Sequence, residues 1–254
     1  MDDLGRALTP FRERATSALV AVDFDGTLAP IVDDPAAAAP LDGVPGVLDE
    51  LSRRLGEVAV VSGRPLDFLQ RWFPPDSRVT LVGLYGLETR RRGRREDHPS
   101  SGVWRETTAP GPRLARPQGP PDIGVGLKGL SITLHYRRHP GIADEVGRWA
   151  EQIAGPAGIR VRPAKMSVEL HPPIDEDKGT VLRRLAADHD GPVLFAGDDH
   201  GDLPAFDELD RVQAAGRPVL RVAVDGPEVP AELTARADLL VDGPAEVAEL
   251  LRAL

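Results

Sequence analysis

The chain has 254 residues, of which 31 are Lys or Arg and 40 are Asp or Glu, for a formal net charge of −9; 41% of it is hydrophobic. That is enough chain for one large domain or two modest ones with a substantial core. The lack of cysteine excludes disulfides, iron–sulfur clusters, thiol catalysis and cysteine-based zinc sites. The acidity argues against a nucleic-acid coating protein, and no stretch approaches the roughly 18 apolar residues of a membrane helix. The first sixteen residues mix both signs of charge without the apolar run of a secretory signal, so a cytoplasmic location is expected.

In chain order, residues 18–22 form a continuous apolar run that ends in Asp23-Phe24-Asp25-Gly26, the pattern of a buried parallel strand entering a loop. A second such run, 58–61, ends in Ser62-Gly63-Arg64, and a third, 79–82, ends in glycine. A fourth, 193–196, enters Gly197-Asp198-Asp199, and 220–224 and 239–241 complete the series. Helical patterns fall over 44–55, 65–72, 178–188, 202–209 and 244–254. This alternation predicts an α/β fold with a parallel sheet covered on both faces. Its polar residues gather at the C-terminal ends of the strands, where open sheets bind ligands.

The middle differs. Residues 131–137 and 166–170 alternate with period two, as strands of a half-exposed antiparallel sheet do, and an amphipathic helix over 142–153 is expected between them. The stretch 90–121 opens on Arg90-Arg91-Arg92-Gly93-Arg94-Arg95, read as a charged, solubilising turn, and between Pro110 and Pro121 carries five prolines that exclude a helix beyond about residue 108. Charge is uneven. Residues 89–172 hold 15 basic and 8 acidic side chains, a net of +7, and the remainder is −16. Two bodies of opposite field are expected, with an anionic ligand held between them.

Asp23-Phe24-Asp25-Gly26-Thr27 places two carboxylates on the same side of an extended segment. Charges that close require a cation, a shared proton or a division of labour, which a nucleophilic Asp beside an acid/base Asp and a divalent metal would satisfy. An Asp-Gly turn closing a strand reads this segment equally well. Ser62-Gly63-Arg64 offers a hydroxyl and backbone amides near a helix start. Lys178 opens a helical stretch, and Gly197 to Asp202 adds three carboxylates. All four segments at strand exits or helix entries read together as a magnesium site handling phosphate, because hard oxygens suit Mg²⁺. Gly124-Val125-Gly126-Leu127-Lys128-Gly129 fits a nucleotide-loop pattern but enters a strand, so no nucleotide site is expected there. His135 and His139 are not expected to form a metal pair, since Pro140 denies them a helix.

These four segments resemble the signature motifs of the haloacid dehalogenase superfamily of phosphatases and phosphotransferases. Closer matches resemble the trehalose-6-phosphate phosphatases: DFDGTLAPIV from Asp23, VVSGRP from Val60, GLYGLE from Gly83, KGLSITLHYR from Lys128, and VELHPP followed by Asp-Lys-Gly within 166–180. The resemblance implies a Rossmannoid core over 1–88 and 173–254 and a smaller α+β cap, inserted over 89–172, that closes over the site. It implies hydrolysis of trehalose 6-phosphate through an aspartyl-phosphate, the second step of trehalose synthesis, by a monomer that engages neither nucleic acid nor membrane. Asp23 would be the nucleophile and Asp25 the acid and base. Ser62 and Lys178 would hold the phosphoryl oxygens, with Thr27, Gly63 and Arg64 beside the substrate. Mg²⁺ would be held by Asp23, the Asp25 carbonyl and Asp198, with Asp199 and Asp202 as direct or outer support. The resemblance places sugar contacts on Lys128, His135, Arg137, Arg162, Lys165 and Glu169, and Glu88 near the hinge, although the strand arginines read equally well as solvated edges. The three lysines of this arginine-rich chain, Lys128, Lys165 and Lys178, all fall on matching positions. Gly126 stands where the family usually carries Glu, which keeps open a phosphatase for a related phosphorylated glycoside. The proline-rich stretch keeps open a non-catalytic sugar-phosphate-binding relative.

Overall fold

The computed structural model describes residues 3–102, 119–121, 123–127, 131–164, 166–226 and 229–254. They divide into two compact units, Met1–Glu96 with Glu176–Leu254, and Asp97–Asp175.

The first unit is built on an eight-stranded sheet in the order β12-β11-β10-β1-β2-β3-β4-β5. Its centre comprises β1 (Leu19–Val22), β2 (Glu57–Val61), β3 (Thr80–Gly83) and β10 (Val193–Gly197), with β11 (Val219–Asp225) and β12 (Leu239–Asp242) beyond β10. These six strands are parallel to their neighbours. Both faces are covered, and so the strands read as unbroken apolar runs. Val20, Val22, Val58 and Val60 face one core with Leu48, Leu51, Val247 and Leu251. Leu19, Ala21, Ala59 and Val61 face another with Val181, Leu182, Phe206 and Leu209. Helices α5 (Lys178–Ala186) and α6 (Leu203–Ala214) supply the second face. α2 (Val44–Arg54) and α8 (Gly243–Ala253) supply the first. There they are joined by α1 (Asp3–Glu13), which buries Leu8 and Phe11 and which the sequence pattern did not predict because Pro10 interrupts it.

The arginine run is not a solubilising turn. Glu88–Arg91 forms β4, antiparallel to β3, and Arg94–Asp97 forms β5 at the sheet edge. Arg92 and Gly93 connect them at φ +51° and +73°, the left-handed pair that a tight hairpin turn uses. Arg90 is buried, and Arg91 reaches the start of β2, where the buried Glu57 carboxylate accepts hydrogen bonds from Arg91 Nε at 2.8 Å and Thr80 Oγ1 at 2.7 Å. His189 Nε2 stands 2.9 Å from the same carboxylate, and Arg91 also pairs with Asp188 at 2.6 Å. Burial alone would raise the Glu57 pKa, but the hydrogen bonds from Arg91, His189 and Thr80 outweigh it and hold it below the usual value. With the hairpin in the first unit, that unit runs to Glu96 rather than residue 88 and resumes at Glu176 rather than 173. The second unit then carries 10 basic and 8 acidic residues, a net of +2 against −11, a weaker contrast than +7 against −16.

The second unit holds a four-stranded antiparallel sheet, β6 (Gly124–Leu127), β7 (Ile132–His135), β9 (Ser167–His171) and β8 (Arg160–Ala164), in that spatial order. Helix α4 (Ala143–Ala154) covers one face through Val146, Trp149 and Ala150, which pack with Ile132, Leu134, Val168 and Leu170. The opposite face is polar. Gly126, Thr133, Glu169 and Arg162 stand in one register row across all four strands. The edge strands β6 and β8 escaped the sequence pattern because glycines and Pro163 interrupt them, features that edge positions tolerate.

Candidate active site

β10, β1, β2 and β3 lie side by side and parallel, so the residues that follow them emerge at one end of the sheet. Asp23 follows β1, its N–H donating to Ala196 O at 2.9 Å and extending the β1–β10 pairing by one residue. Phe24 O accepts from the N–H groups of Leu28 and Ala29, each at 2.9 Å, and Gly26 N–H donates to Ala29 O at 2.7 Å. The resulting tight loop fixes Asp25 beside Asp23. Gly26 is required twice over: its φ is +83°, and a Cβ there would lie 2.0 Å from Asp198 Oδ2. The Asp198 carboxylate therefore rests on the Asp23 loop.

Lys178 is the first residue of α5, whose start is fixed by a capping box between Asp177 and Thr180. Its buried ammonium stands 2.8 Å from Asp23 Oδ1 and 2.6 Å from Asp202 Oδ1. Burial works against its charge, but Asp202 and Asp23, with Asp199 and Tyr85 behind them, outweigh that and hold its pKa well above the ordinary lysine value. Asp202 is raised to about 7, chiefly by burial, with Lys178 opposing and Asp199 and Asp198 adding to the rise. Burial also raises Asp23 well above its ordinary value; Lys178 opposes this, and Asp202, Asp198 and Asp199 reinforce it.

One oxygen each of Asp23, Asp198 and Asp202, all buried, lies within 4.8 Å of the others. Their roles differ. Asp202 has both oxygens engaged, Oδ1 by Lys178 and Oδ2 by the N–H groups of Asp198 and Asp199 at 2.9 and 3.0 Å. Asp199 Oδ1 accepts from Gly201 N–H at 2.8 Å and caps the short turn His200–Asp202. Asp202 and Asp199 thus brace the loop, and Asp23 and Asp198 are the carboxylates that could hold a cation. The donor set fits a hard divalent ion: the three clustered groups are all carboxylates, their donors are all oxygens, and the neighbouring carboxylates add to the rise that burial gives the pKa values of Asp23 and Asp202.

Ser62 is buried at the end of β2, where its Oγ accepts from Arg64 N–H at 3.1 Å and its own hydroxyl hydrogen remains to donate. Thr27 Oγ1 is fully buried and makes no hydrogen bond among the described residues, as suits a hydroxyl reserved for a ligand. Arg64 turns onto Asp25 rather than outward: Nε and NH2 meet Oδ2 and Oδ1 at 2.7 and 2.6 Å, NH1 donates to Pro35 O at 2.6 Å, and the guanidinium stacks on Phe68 at 4.5 Å. Glu88 is likewise buried, accepting from Leu66 N–H at 2.9 Å and from Arg95 NH2 at 3.0 Å, so it ties the start of α3 (Leu66–Leu69) to the hairpin.

Of the expected sugar contacts, Lys128 and Lys165 lie outside the described residues, as does most of the proline-rich stretch. His135, Glu169 and Arg162 share the polar face of the second unit's sheet, where Thr133 Oγ1 donates to Glu169 Oε1 at 3.4 Å. A Cβ at Gly126 would lie 3.3 Å from His135 Nε2, so the imidazole occupies the space of a side chain at 126. Arg137 follows the end of β7, half-buried.

The sequence reading missed Tyr85. It sits at φ +57° in the turn after β3, and a Cβ on Gly63 would lie 2.6 Å from its hydroxyl. Its flanking pattern Gly83-Leu84-Tyr85-Gly86, directly at a strand exit, was the available signal.

Comparison with known proteins matches residues 21–109 and 121–238 to the family model described as trehalose-phosphatase. The trehalose-phosphate phosphatase of Mycobacterium avium (strain 104) is 34% identical over 247 residues, covering 91% of this chain and 60% of the relative. That of Mycobacterium tuberculosis (strain ATCC 25618 / H37Rv) is 34% identical over 244 residues, covering 89% and 58%. The chain thus spans about three fifths of the length of these relatives. Among solved structures, the C-terminal domain of the Candida albicans trehalose-6-phosphate phosphatase superposes with a TM-score of 0.78 at 23% identity, covering 98% of this chain and 96% of that one. A haloacid dehalogenase-like hydrolase from Bacteroides thetaiotaomicron superposes with a TM-score of 0.58 at 14% identity, covering 92% and 98%, which fixes the fold as haloacid dehalogenase-like. With the family model covering most of its length and the site residues on the strand ends that this fold uses, the chain belongs to the trehalose-phosphatase family.

Proposed function

We propose that the chain hydrolyses the phosphomonoester of trehalose 6-phosphate, giving trehalose and inorganic phosphate. The observation that carries this reading is Lys178, a buried ammonium between Asp23 and Asp202 at the ends of parallel strands, with Ser62 on the neighbouring strand exit. Phosphoryl transfer depends on alignment and on neutralising equatorial charge, which this arrangement supplies. The names of the relatives supply the substrate.

In this reading Asp23 attacks phosphorus through Oδ2, because Oδ1 is engaged by Lys178. The bond from phosphorus to the sugar oxygen breaks, and Asp25 delivers a proton to the departing oxygen. Asp25 then takes a proton from water as the water attacks the phosphorus of the aspartyl-phosphate, and Asp23 is regenerated with release of phosphate. Arg64 holds both Asp25 oxygens, so it must yield at least one of them for either proton transfer. Mg²⁺, held by Asp23, Asp198 and the Asp25 carbonyl, would neutralise charge on the phosphoryl oxygens and keep Asp23 ionised despite its burial. Sugar selection falls to the polar sheet face of the second unit, through His135, Arg162 and Glu169, and to Arg137, Lys128 and Lys165.

A panel of sugar phosphates assayed with Mg²⁺ tests the reading. Trehalose 6-phosphate should be the best substrate by at least tenfold in kcat/KM. Preference for another phosphorylated glycoside would move the substrate to the relative that Gly126 keeps open, and absence of all turnover would defeat the enzymatic reading.

A further inference from the structure

The turn after β3 adopts a conformation that its sequence does not favour. Leu84 and Tyr85 lie at φ +50° and +57°, in the left-handed region that L residues rarely enter and keep only where their surroundings impose it. Here two hydrogen bonds impose it, from Leu84 N–H to Arg64 O at 2.9 Å and from Tyr85 N–H to Ser62 O at 3.0 Å. Glycines at 83 and 86 show that the chain uses glycine in this turn, yet a tyrosine is kept at a strained position.

The side chain accounts for that choice. The hydroxyl lies over Gly63, where a Cβ would come within 2.6 Å of it. The ring edge lies against Gly201, where a Cβ would stand 3.9 Å from Cε1. The phenol therefore fills a slot between the Ser62–Gly63 loop and the Asp199–Asp202 turn, close enough to Lys178 for its field to act there, and it remains half-exposed. Ser62, the Gly63 amide and Lys178 are the groups that would receive phosphoryl oxygens, and the hydroxyl stands over Gly63, next in the chain to Ser62.

We propose that Tyr85 is a phosphoryl-binding residue whose hydroxyl donates a hydrogen bond to an oxygen of the transferring group, completing the donor set of Ser62 and Lys178. The inference rests on the phosphatase reading of the site but not on the identity of the sugar. It is tested with inorganic phosphate as the probe, by calorimetric titration of the magnesium-loaded protein. Tyr85→Phe removes one oxygen and keeps the ring between the two loops. Phosphate should bind about tenfold more weakly to it, because a charge-assisted hydrogen bond to the anion is lost while the ring stays in place. Gly63→Ala, whose methyl displaces the hydroxyl without removing it, should weaken phosphate comparably. Phosphate binding within twofold of wild type in either variant would overturn the proposal. Tyr85-dependent phosphate binding in a protein that hydrolyses no sugar phosphate would defeat the proposed function and leave this inference standing. Hydrolysis of trehalose 6-phosphate with phosphate affinity indifferent to Tyr85→Phe would do the reverse.

Discussion

Each principal residue of the site is held by a contact that leaves little room for exchange. Gly26 allows Asp198 to rest on the Asp23 loop, so Gly26→Ala should push apart the Asp23 and Asp198 carboxylates, the two proposed to hold the cation. A misplacement of that size costs about 10²-fold in turnover. The same variant should lose most of the rise in melting temperature that Mg²⁺ gives the wild type, a readout by differential scanning fluorimetry that does not depend on turnover. Lys178→Met would leave Asp23 and Asp202 facing each other without their cation; removing one partner of a buried pair costs about 3–5 kcal/mol, measurable by urea unfolding, and turnover should vanish. That Asp23, Ser62, Lys178 and Asp198 gather at one end of the sheet was legible because strand exits in an α/β pattern have a known place in space. The partners of Arg64 and Glu88 were not legible, since a sequence shows that a charged side chain is near a site but not which protein group it meets. Tyr85 was passed over because an aromatic between glycines carries no chemistry until its hydroxyl is seen over Gly63.

At the scale of elements, the ends that face the site are fixed by local chemistry. Asp177 caps α5 one residue before Lys178, with Thr180 N–H donating to its carboxylate at 2.7 Å. Asp177→Ala should cost about 1 kcal/mol in urea unfolding and lower kcat more than its stability loss explains, because Lys178 is then set by a frayed turn. Gly179 adds a tertiary constraint, since a Cβ there would meet Pro204 O at 2.3 Å where α5 crosses α6. Far from the site, Glu57 binds β2, β3, β4 and the His189 loop together. Its folded pKa lies below the unfolded one, so its contribution is fully present above about pH 4.5 and fades as acid drops the pH through the folded value. Glu57→Gln should therefore lower the stability at pH 7 by about 2 kcal/mol, and the gap to wild type should close as the pH falls through the folded pKa of Glu57, below its ordinary value. A gap independent of pH would show that the Glu57 charge is not what matters. The parallel strands and their helices were legible from unbroken apolar runs. The β4–β5 hairpin was not, because Arg90 and Arg91 read as solvent-facing, although Arg90 is buried and Arg91 meets Glu57 on β2.

For the molecule as a whole, that hairpin changes how charge divides. Five arginines attributed to the insert belong to the first unit, which leaves the second at +2 and the first at −11. In the proposed reaction, attraction of a sugar phosphate would then depend on particular groups, Lys178 above all, rather than on a strong contrast of charge between the units. Raising salt from 50 to 300 mM should accordingly change KM for a sugar phosphate by less than about threefold, because a buried pair is screened far less than surface charge. In the proposed reaction Asp23, ionised with the help of Lys178 and a divalent cation, is where phosphate is transferred. Phosphate release from trehalose 6-phosphate, measured side by side for wild type and Asp23→Asn with Mg²⁺, tests it most directly. The account predicts turnover by the wild type and a loss of about 10³-fold or more in a variant that stays folded. Comparable release by both proteins would contradict it.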